Sequence, residues 1–448
     1  MSKSETKDHY WIKSGFFSFL QNFSNVIFGF GSFYILVRIL PSKNDFGTWA
    51  LFMTTTAILE NVRNGLIQNA LIRYLSLSPV EEHNKIVSAS FANSAILSGF
   101  CILLNLAFAH FLSISWHAPV LEEMFYLYSF VYLISGILTQ FQFIEQAYLK
   151  FNSIFLTTFI RQGIFFVYVF CCFVFSIKIN LIHLVYVQIL SVTASMIAAW
   201  IFVKRYFRFV FSYERGWMKN LFNYGKYAFG TSVSSTVFSS IDQMMLGSYL
   251  SAAAAGVYNI AVRVTNLVEI PTNAIAAIVF PQSAKRVGNE GPDAVKYLYE
   301  KSVGTLLAIL LPGLLVLLFF SKFSIHFIAG DKYEDAIPIL KVTVFYCLFV
   351  PYGRQFGVLL DSMGRTRLTF TIVFISALIN IVLNYVLIHR FNVLGAAYAT
   401  LSANIIGFII SQTILRKQLR VNLFNTFRYA VGFYPELYQK IKSLLVKK

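Results

Sequence analysis

The sequence predicts an all-α polytopic membrane protein, with about twelve transmembrane helices in two pseudo-symmetric six-helix bundles around a central cavity. Three observations predict it. Of 448 residues, 57% are hydrophobic and only 13% charged, against about 25% charged in ordinary soluble chains. Nearly uncharged runs such as LLAILLPGLLVLLFF (306–320) recur from end to end, and a run of about 20 apolar residues spans a bilayer. Polar features of one half reappear in the other at a fixed offset. A β-barrel would show short alternating strands instead.

The expected spans centre near Val26, Leu59, Leu97, Tyr132, Phe165, Val192, Thr236, Val268, Leu307, Leu348, Ile379 and Ile405. The first apolar run, Gly15 to Leu40, is too long for the core of a signal peptide and should remain as a helix. Connections are short. The polar stretch from Lys204 to Tyr224 divides the spans six and six, giving bundles at 1–208 and 209–419 and a basic tail at 420–448. Pro271 sits mid-span and predicts a kink, because it frees a backbone carbonyl. Pro312 with Gly313, and Pro351 with Gly353, mark spans nine and ten in the same way. In the tail, Leu437, Ile441, Leu444 and Leu445 share one helical face, which suits an amphipathic helix on the anionic inner leaflet.

The net charge of +17 would suggest nucleic acid in a soluble protein. Here there is no polar domain to host such a surface, so no nucleic acid partner is expected. Inner loops and tails hold 25 of the 37 Lys and Arg, and outer loops six, which makes both termini cytoplasmic. Cys101, Cys171, Cys172 and Cys347 all lie in apolar segments and read as buried small hydrophobes. No GxxxxGK[ST] loop exists to bind ATP, no HExxH occurs, and the seven histidines are scattered. Neither a metal nor a cofactor is expected. No large outer loop gathers acids or bases, which argues against a membrane enzyme of glycan assembly.

Aligning Gly47 with Gly256, an offset of 209, places Glu60 on Glu269 and Asn64 on Asn273. Spans two and eight then each carry Glu-x-x-x-Asn on one helical face. Repeats of this kind build transporters, with the substrate bound at the repeat interface near the midplane. Ionisable groups within spans are costly and face protein or water. Asp242 and Arg263 lie at matching depth on either side of the turn SAAAAG (251–256) and could form an ion pair. Glu60 and Arg63 could pair likewise at i, i+3. The functional alternative has Arg63 and Arg263 lining a cavity and offering bidentate donors to an anionic substrate, with the acids holding them until phosphate arrives. Glu60, Asp242 and Glu269 are also candidates for ion coupling. The run GTSVSSTVFSS (230–240) reads either as close helix packing or as a cavity wall for sugar.

Several stretches resemble one family. SSIDQMMLGSYLSAAAAGVYNIAVRV (239–264), FIAGDKYEDAIPILKV (327–342), LLDSMGRTRLTF (359–370) and FNVLGAAYATLSANIIG (391–407) are similar to polysaccharide exporters of the multidrug/oligosaccharidyl-lipid/polysaccharide (MOP) superfamily. NGLIQNALIRYLS (64–76) is similar to the family's segment closing span two. The resemblance implies a Wzx-type flippase of the bacterial inner membrane. Such a protein moves an undecaprenyl-pyrophosphate-linked oligosaccharide, a unit of O-antigen, capsule or exopolysaccharide, to the outer leaflet by alternating access. Its expected partners are that lipid-linked oligosaccharide, membrane lipids, and a glycan polymerase with its chain-length machinery. The resemblance places cavity cations at Arg63 and Arg263 and the acid of span seven at Asp242. Span one departs from the pattern: apart from Arg38 at its outer end it offers Gln21, Asn22 and Asn25. Asn25, Asn64 and Asn273 are the expected polar lining. A cation-coupled drug exporter of the same superfamily is the alternative, and it would favour an acidic cavity.

Overall fold

In hydrocarbon no water satisfies the backbone, so each spanning segment must close its own hydrogen bonds as a helix. The computed structural model describes residues 3–446 apart from 206, 208, 211, 213, 290 and 291, and these form helices with no strand among them. The helices are α1 (Lys3–Ile39), α2 (Lys43–Leu77), α3 (His83–Ser115), α4 (Val120–Ala147), α5 (Phe151–Val174), α6 (Leu181–Val203), α7 (Arg215–Tyr249) and α8 (Ala252–Thr265). They continue with α9 (Glu269–Asn289), α10 (Pro292–Phe319), α11 (Ser321–Ala329), α12 (Ala336–Cys347), α13 (Val350–Ser362), α14 (Thr366–Phe391), α15 (Val393–Leu419) and α16 (Leu423–Val446).

Every expected span falls on a helix or a broken pair of helices. Ten of the described segments are long and apolar enough to cross a bilayer. The second and seventh spans, α2 and α7, are 35 residues each and fall outside that ten. Both are long enough, since about 20 helical residues suffice. They carry more polar groups: Glu60, Arg63 and Asn64 on α2, and Lys226, Asp242 and the hydroxylated run on α7.

Two broken spans have identifiable causes. A single 3-10 turn, Asn266–Val268, separates α8 from α9, and Pro271 follows at the third position of α9. Proline cannot donate to Leu267, four residues back, so the α-helical ladder fails there. Pro351 acts likewise at the start of α13, just after α12 stops at Cys347. Pro312 does not break its span. It lies inside α10, which stays helical from end to end. The carbonyl it frees, that of Ala308, accepts the Tyr434 hydroxyl at 2.7 Å.

The chain divides into two compact units, Met1–Thr236 with Ser251–Ala253, and Val237–Leu250 with Ala254–Lys448. In the first, α1 packs on α5, α3 on α2 and α4, and α4 on α6. In the second, α14 packs on α15, α10 on α9 and α16, and α12 on α15. Polarity is sorted as lipid requires. On α3, Ser90, Ser94, Ser98, Cys101 and Asn105 recur every three or four residues and are buried, while Phe100, Leu103, Phe108 and Phe111 face outward. Small polar residues let helices approach closely and bond across the seam. Ser90 donates to Gln140 of α4 at 2.6 Å.

The hydroxylated run of α7 is closely packed where it meets α2. A Cβ on Gly65 would come within 3.2 Å of the Ser232 side chain, and one on Gly225 would strike the Leu66 carbonyl. The four cysteines are unpaired; Cys101, Cys172 and Cys347 are buried and Cys171 is half-buried. The expected lipid-facing side chains Ile441, Leu444 and Leu445 lie outside the described side chains, although the helix carrying them is present.

The α14–α15 hairpin turns at Asn392, whose φ of 51° is left-handed. Gly395 then lies directly on the Leu387 carbonyl, with no room for a Cβ. Gly395→Val should cost about 1–3 kcal/mol through overpacking, seen as earlier thermal unfolding in detergent. Gly99→Ala, at a position with nothing within 4 Å, should leave the transition in place.

Candidate functional site

The charged groups within the spans are held differently in the two units. In the first unit, Arg63 on α2 is 1% exposed. Its Nη1 donates to the Tyr132 carbonyl at 2.8 Å and to Ser135 Oγ at 3.1 Å, both on α4. Its Nε donates to Asn64 Oδ1 at 3.2 Å. Gly136 leaves the space: a Cβ there would lie 3.5 Å from Arg63 Nη1 and strike Ser98 Oγ. Arg63 is thus sealed against α4, where it braces the helix pair.

Glu60 does not pair with Arg63, contrary to the i, i+3 expectation. The competing partners are stronger: the guanidinium turns to a backbone carbonyl, and the carboxylate turns the other way. Glu60 Oε1 accepts the Tyr128 hydroxyl at 3.2 Å, and its Oε2 lies 3.7 Å from Arg161 Nη2 on α5. The Arg161 side chain is 27% exposed. It makes no hydrogen bond among the described residues, so most of its donors remain available. Nearby on α1, Gln21 donates to Thr158 of α5 at 3.5 Å. Asn25, also on α1, is half-buried, and its Oδ1 has no hydrogen-bond partner among the described residues.

In the second unit, Asp242 of α7 is 3% exposed. Oδ2 accepts the Tyr258 hydroxyl of α8 at 2.6 Å and the Thr400 hydroxyl of α15. Oδ1 accepts Asn384 Nδ2 of α14, and that amide also faces Asn380 Oδ1 one turn earlier. The expected Asp242–Arg263 ion pair does not form, because three neutral donors already fill the carboxylate. Helix geometry adds a reason: Tyr258 and Arg263 are five residues apart on α8 and so point about 140° apart. Only one of them can face Asp242. Arg263 is exposed, as are Glu269 and Asn273. Asn273 Nδ2 lies 3.4 Å from Glu269 Oε2, closing the Glu-x-x-x-Asn pair on α9. The matched pair on α2 is not closed, since Glu60 and Asn64 each bind elsewhere. The two positions of the repeat share sequence and not contacts.

The Asp242 cluster draws on residues that sequence reasoning missed: Tyr258, Asn380, Asn384 and Thr400. A signal existed. Asn380 and Asn384 stand at i, i+4 in the otherwise apolar INIVLNYV (379–386). Beside the Asn384 amide nitrogen, the cluster is built of oxygens: a carboxylate, two amide oxygens and two hydroxyls. Oxygen sets of this kind suit a hard cation, and a lone buried carboxylate equally suits a proton. No group of three His, Cys, Asp or Glu occurs among the described residues, so a transition-metal centre has no ligand set here.

Comparison with known proteins bears on the same architecture. The sequence is 26% identical over 308 residues to the uncharacterized membrane protein MJ1068 of Methanocaldococcus jannaschii, covering 67% of this chain and 59% of that protein. It is 26% identical over 186 residues to the probable low-salt glycan biosynthesis flippase Agl15 of Haloferax volcanii, covering 41% of this chain and 39% of the relative. It is 22% identical to the teichuronic acid biosynthesis protein TuaB of Bacillus subtilis, covering 67% of this chain and 62% of that protein. The matches therefore span less than two thirds of these relatives' own length. Among solved structures, the lipid II flippase MurJ in an inward closed conformation superposes with a TM-score of 0.76 at 16% identity, covering 96% of this chain and 92% of that one. An inward-facing MATE family multidrug resistance transporter of the MOP superfamily gives 0.73 at 16% identity, covering 88% and 96%. These likenesses show the shared fold. Residues 35–338 match the family described as polysaccharide biosynthesis protein, and the chain belongs to that family.

Proposed function

We propose that this multi-pass membrane protein is a flippase for an undecaprenyl-pyrophosphate-linked oligosaccharide, carrying it from the inner to the outer leaflet by alternating access. The observation that carries the reading is Arg161: a guanidinium within a span, part-exposed, with a carboxylate 3.7 Å away as its ion-pair partner. Such a group has donors to offer an anion, and pyrophosphate cannot cross hydrocarbon without them. Glu60 holds Arg161 loosely until the more highly charged phosphate displaces it. The second unit offers its own exposed cation, Arg263, with Glu269 and Asn273 further along the same broken span. Agl15, a relative described as a probable glycan biosynthesis flippase, supports the same cargo class. A cation-coupled drug exporter has the same fold, but part-exposed arginines repel cationic drugs. The basic inner loops support an orientation with both termini cytoplasmic.

Arg63 serves this function by bracing α2 on α4, and Arg161 by meeting the cargo. The two roles separate in one experiment: complementation of a bacterial strain lacking its glycan flippase, scoring surface glycan and membrane protein level together. Arg161→Ala and Arg263→Ala should abolish surface glycan at normal protein level. Arg63→Ala should lower the protein level itself, through loss of about 3 kcal/mol of buried packing and hydrogen bonding. Wild-type glycan from both the Arg161 and Arg263 variants would remove the proposed site.

Coupling belongs to the Asp242 cluster in this proposal, with a proton or sodium-sized cation held among its oxygens. Sodium or a lowered pH should then shift the thermal unfolding of the purified protein, and Asp242→Asn should remove that response. Equal responses in the two proteins would take coupling away from Asp242.

A further inference from the structure

The last helix is the amphipathic segment of the basic tail, and its contacts fix which of its faces is free. Arg420, with a left-handed φ of 52°, turns the chain out of α15. Asn422 then starts α16: its Oδ1 accepts Phe424 N at 3.0 Å, and its own N–H donates to Glu300 Oε1 at 2.7 Å. Glu300 Oε2 accepts Asn425 Nδ2 at 2.8 Å, and this carboxylate of α10 is only 2% exposed. One turn on, Gly304 lets the helices touch: a Cβ there would come within 2.6 Å of the Thr426 carbonyl and of Tyr429 Cβ. One turn further, the Ala308 carbonyl freed by Pro312 accepts the Tyr434 hydroxyl. Thus α16 is fixed to α10 at three successive turns, Glu300, Gly304 and Ala308.

Fixing that face determines what the other presents. Phe424 is 82% exposed, Phe427 50%, Val431 73% and Tyr438 69%. Their spacing of three, four and seven residues draws one stripe along the helix, flanked by the buried Thr426 and Ala430. Arg428 is exposed beside that stripe, one turn from Phe424 and from Val431. Arg416, Lys417 and Arg420 are exposed at the end of α15 where α16 begins. From Arg416 to Lys448 the sequence holds eight Lys or Arg and a single acid, Glu436.

We propose that α16 is a lipid-facing helix, seated in the bilayer through Phe424, Phe427, Val431 and Tyr438, with the basic residues around its start binding anionic phospholipid headgroups. Three features select lipid as the occupant. The helix begins where a membrane span ends. Its docked face climbs from Glu300 to Ala308, into the apolar part of α10, so the outward stripe climbs with it from the headgroups toward the acyl chains. Its flanking charge is of one sign, opposite to that of anionic lipid. The inference stands on α10 and α16 alone, whatever cargo the protein carries.

The test places p-acetylphenylalanine at Phe424, Phe427 or Tyr438 in the full chain, a near-isosteric change that leaves the native cysteines untouched. A nitroxide is coupled to it, and the protein is placed in nanodiscs of phosphatidylcholine with or without phosphatidylglycerol. Oxygen should relax the label several-fold more than a water-soluble nickel chelate does, and phosphatidylglycerol should increase that ratio. A label reached mainly by nickel would put the stripe in water and overturn the proposal. A label shielded from both reagents would mean that protein covers it, which overturns the proposal equally. A ratio indifferent to phosphatidylglycerol would overturn the headgroup part.

Discussion

A polar side chain in hydrocarbon has no water to bond, so it must find its partners in protein. That constraint orders this molecule more than any apolar contact does. The apolar side chains have no reason to turn inward, and many large ones face outward. The interior seams are instead drawn by groups that need partners: Ser90 with Gln140, Arg63 with the Tyr132 carbonyl, and Asp242 with Tyr258, Asn384 and Thr400. Asp242 gathers α7, α8, α14 and α15 around one carboxylate. A helix added or rotated in that group would leave a buried charge short of donors.

The fold was legible because bilayer length and apolar runs are coarse signals that survive any detail of packing. All the expected spans are helices, and the breaks at Pro271 and Pro351 follow from the missing amide hydrogens. The site was less legible, for a specific reason. Sequence shows that Glu60, Arg63, Asp242 and Arg263 lie in spans, but not in which direction each points. Pairing opposite charges near in sequence gave Glu60 with Arg63 and Asp242 with Arg263. Neither pair forms, because neutral donors and a backbone carbonyl were better placed. Those competitors, Asn384, Thr400 and the Tyr132 carbonyl, lie 69 to 158 residues away in the chain. A local pattern can mark Asn384 as polar in an apolar span, but none pairs these groups with Asp242 or Arg63.

The same logic separates two kinds of arginine. Arg63 is held through Nη1 by α4 and closed from solvent; Arg161 keeps its donors and some exposure. A family motif that marks "an arginine on span two" cannot distinguish bracing from binding. The burial and the partners can, and they move attention from α2 to α5.

Pro312 gives the last lesson. A proline in a lipid-facing helix leaves one carbonyl without its usual amide, and here the Tyr434 hydroxyl supplies what is missing. The C-terminal stretch is therefore part of how span nine remains intact. Trimming the final two dozen residues, an ordinary step when a flexible-looking end is removed for expression, would strip the hydroxyl from that buried carbonyl. The helix that suffers would be one more than a hundred residues upstream of the cut.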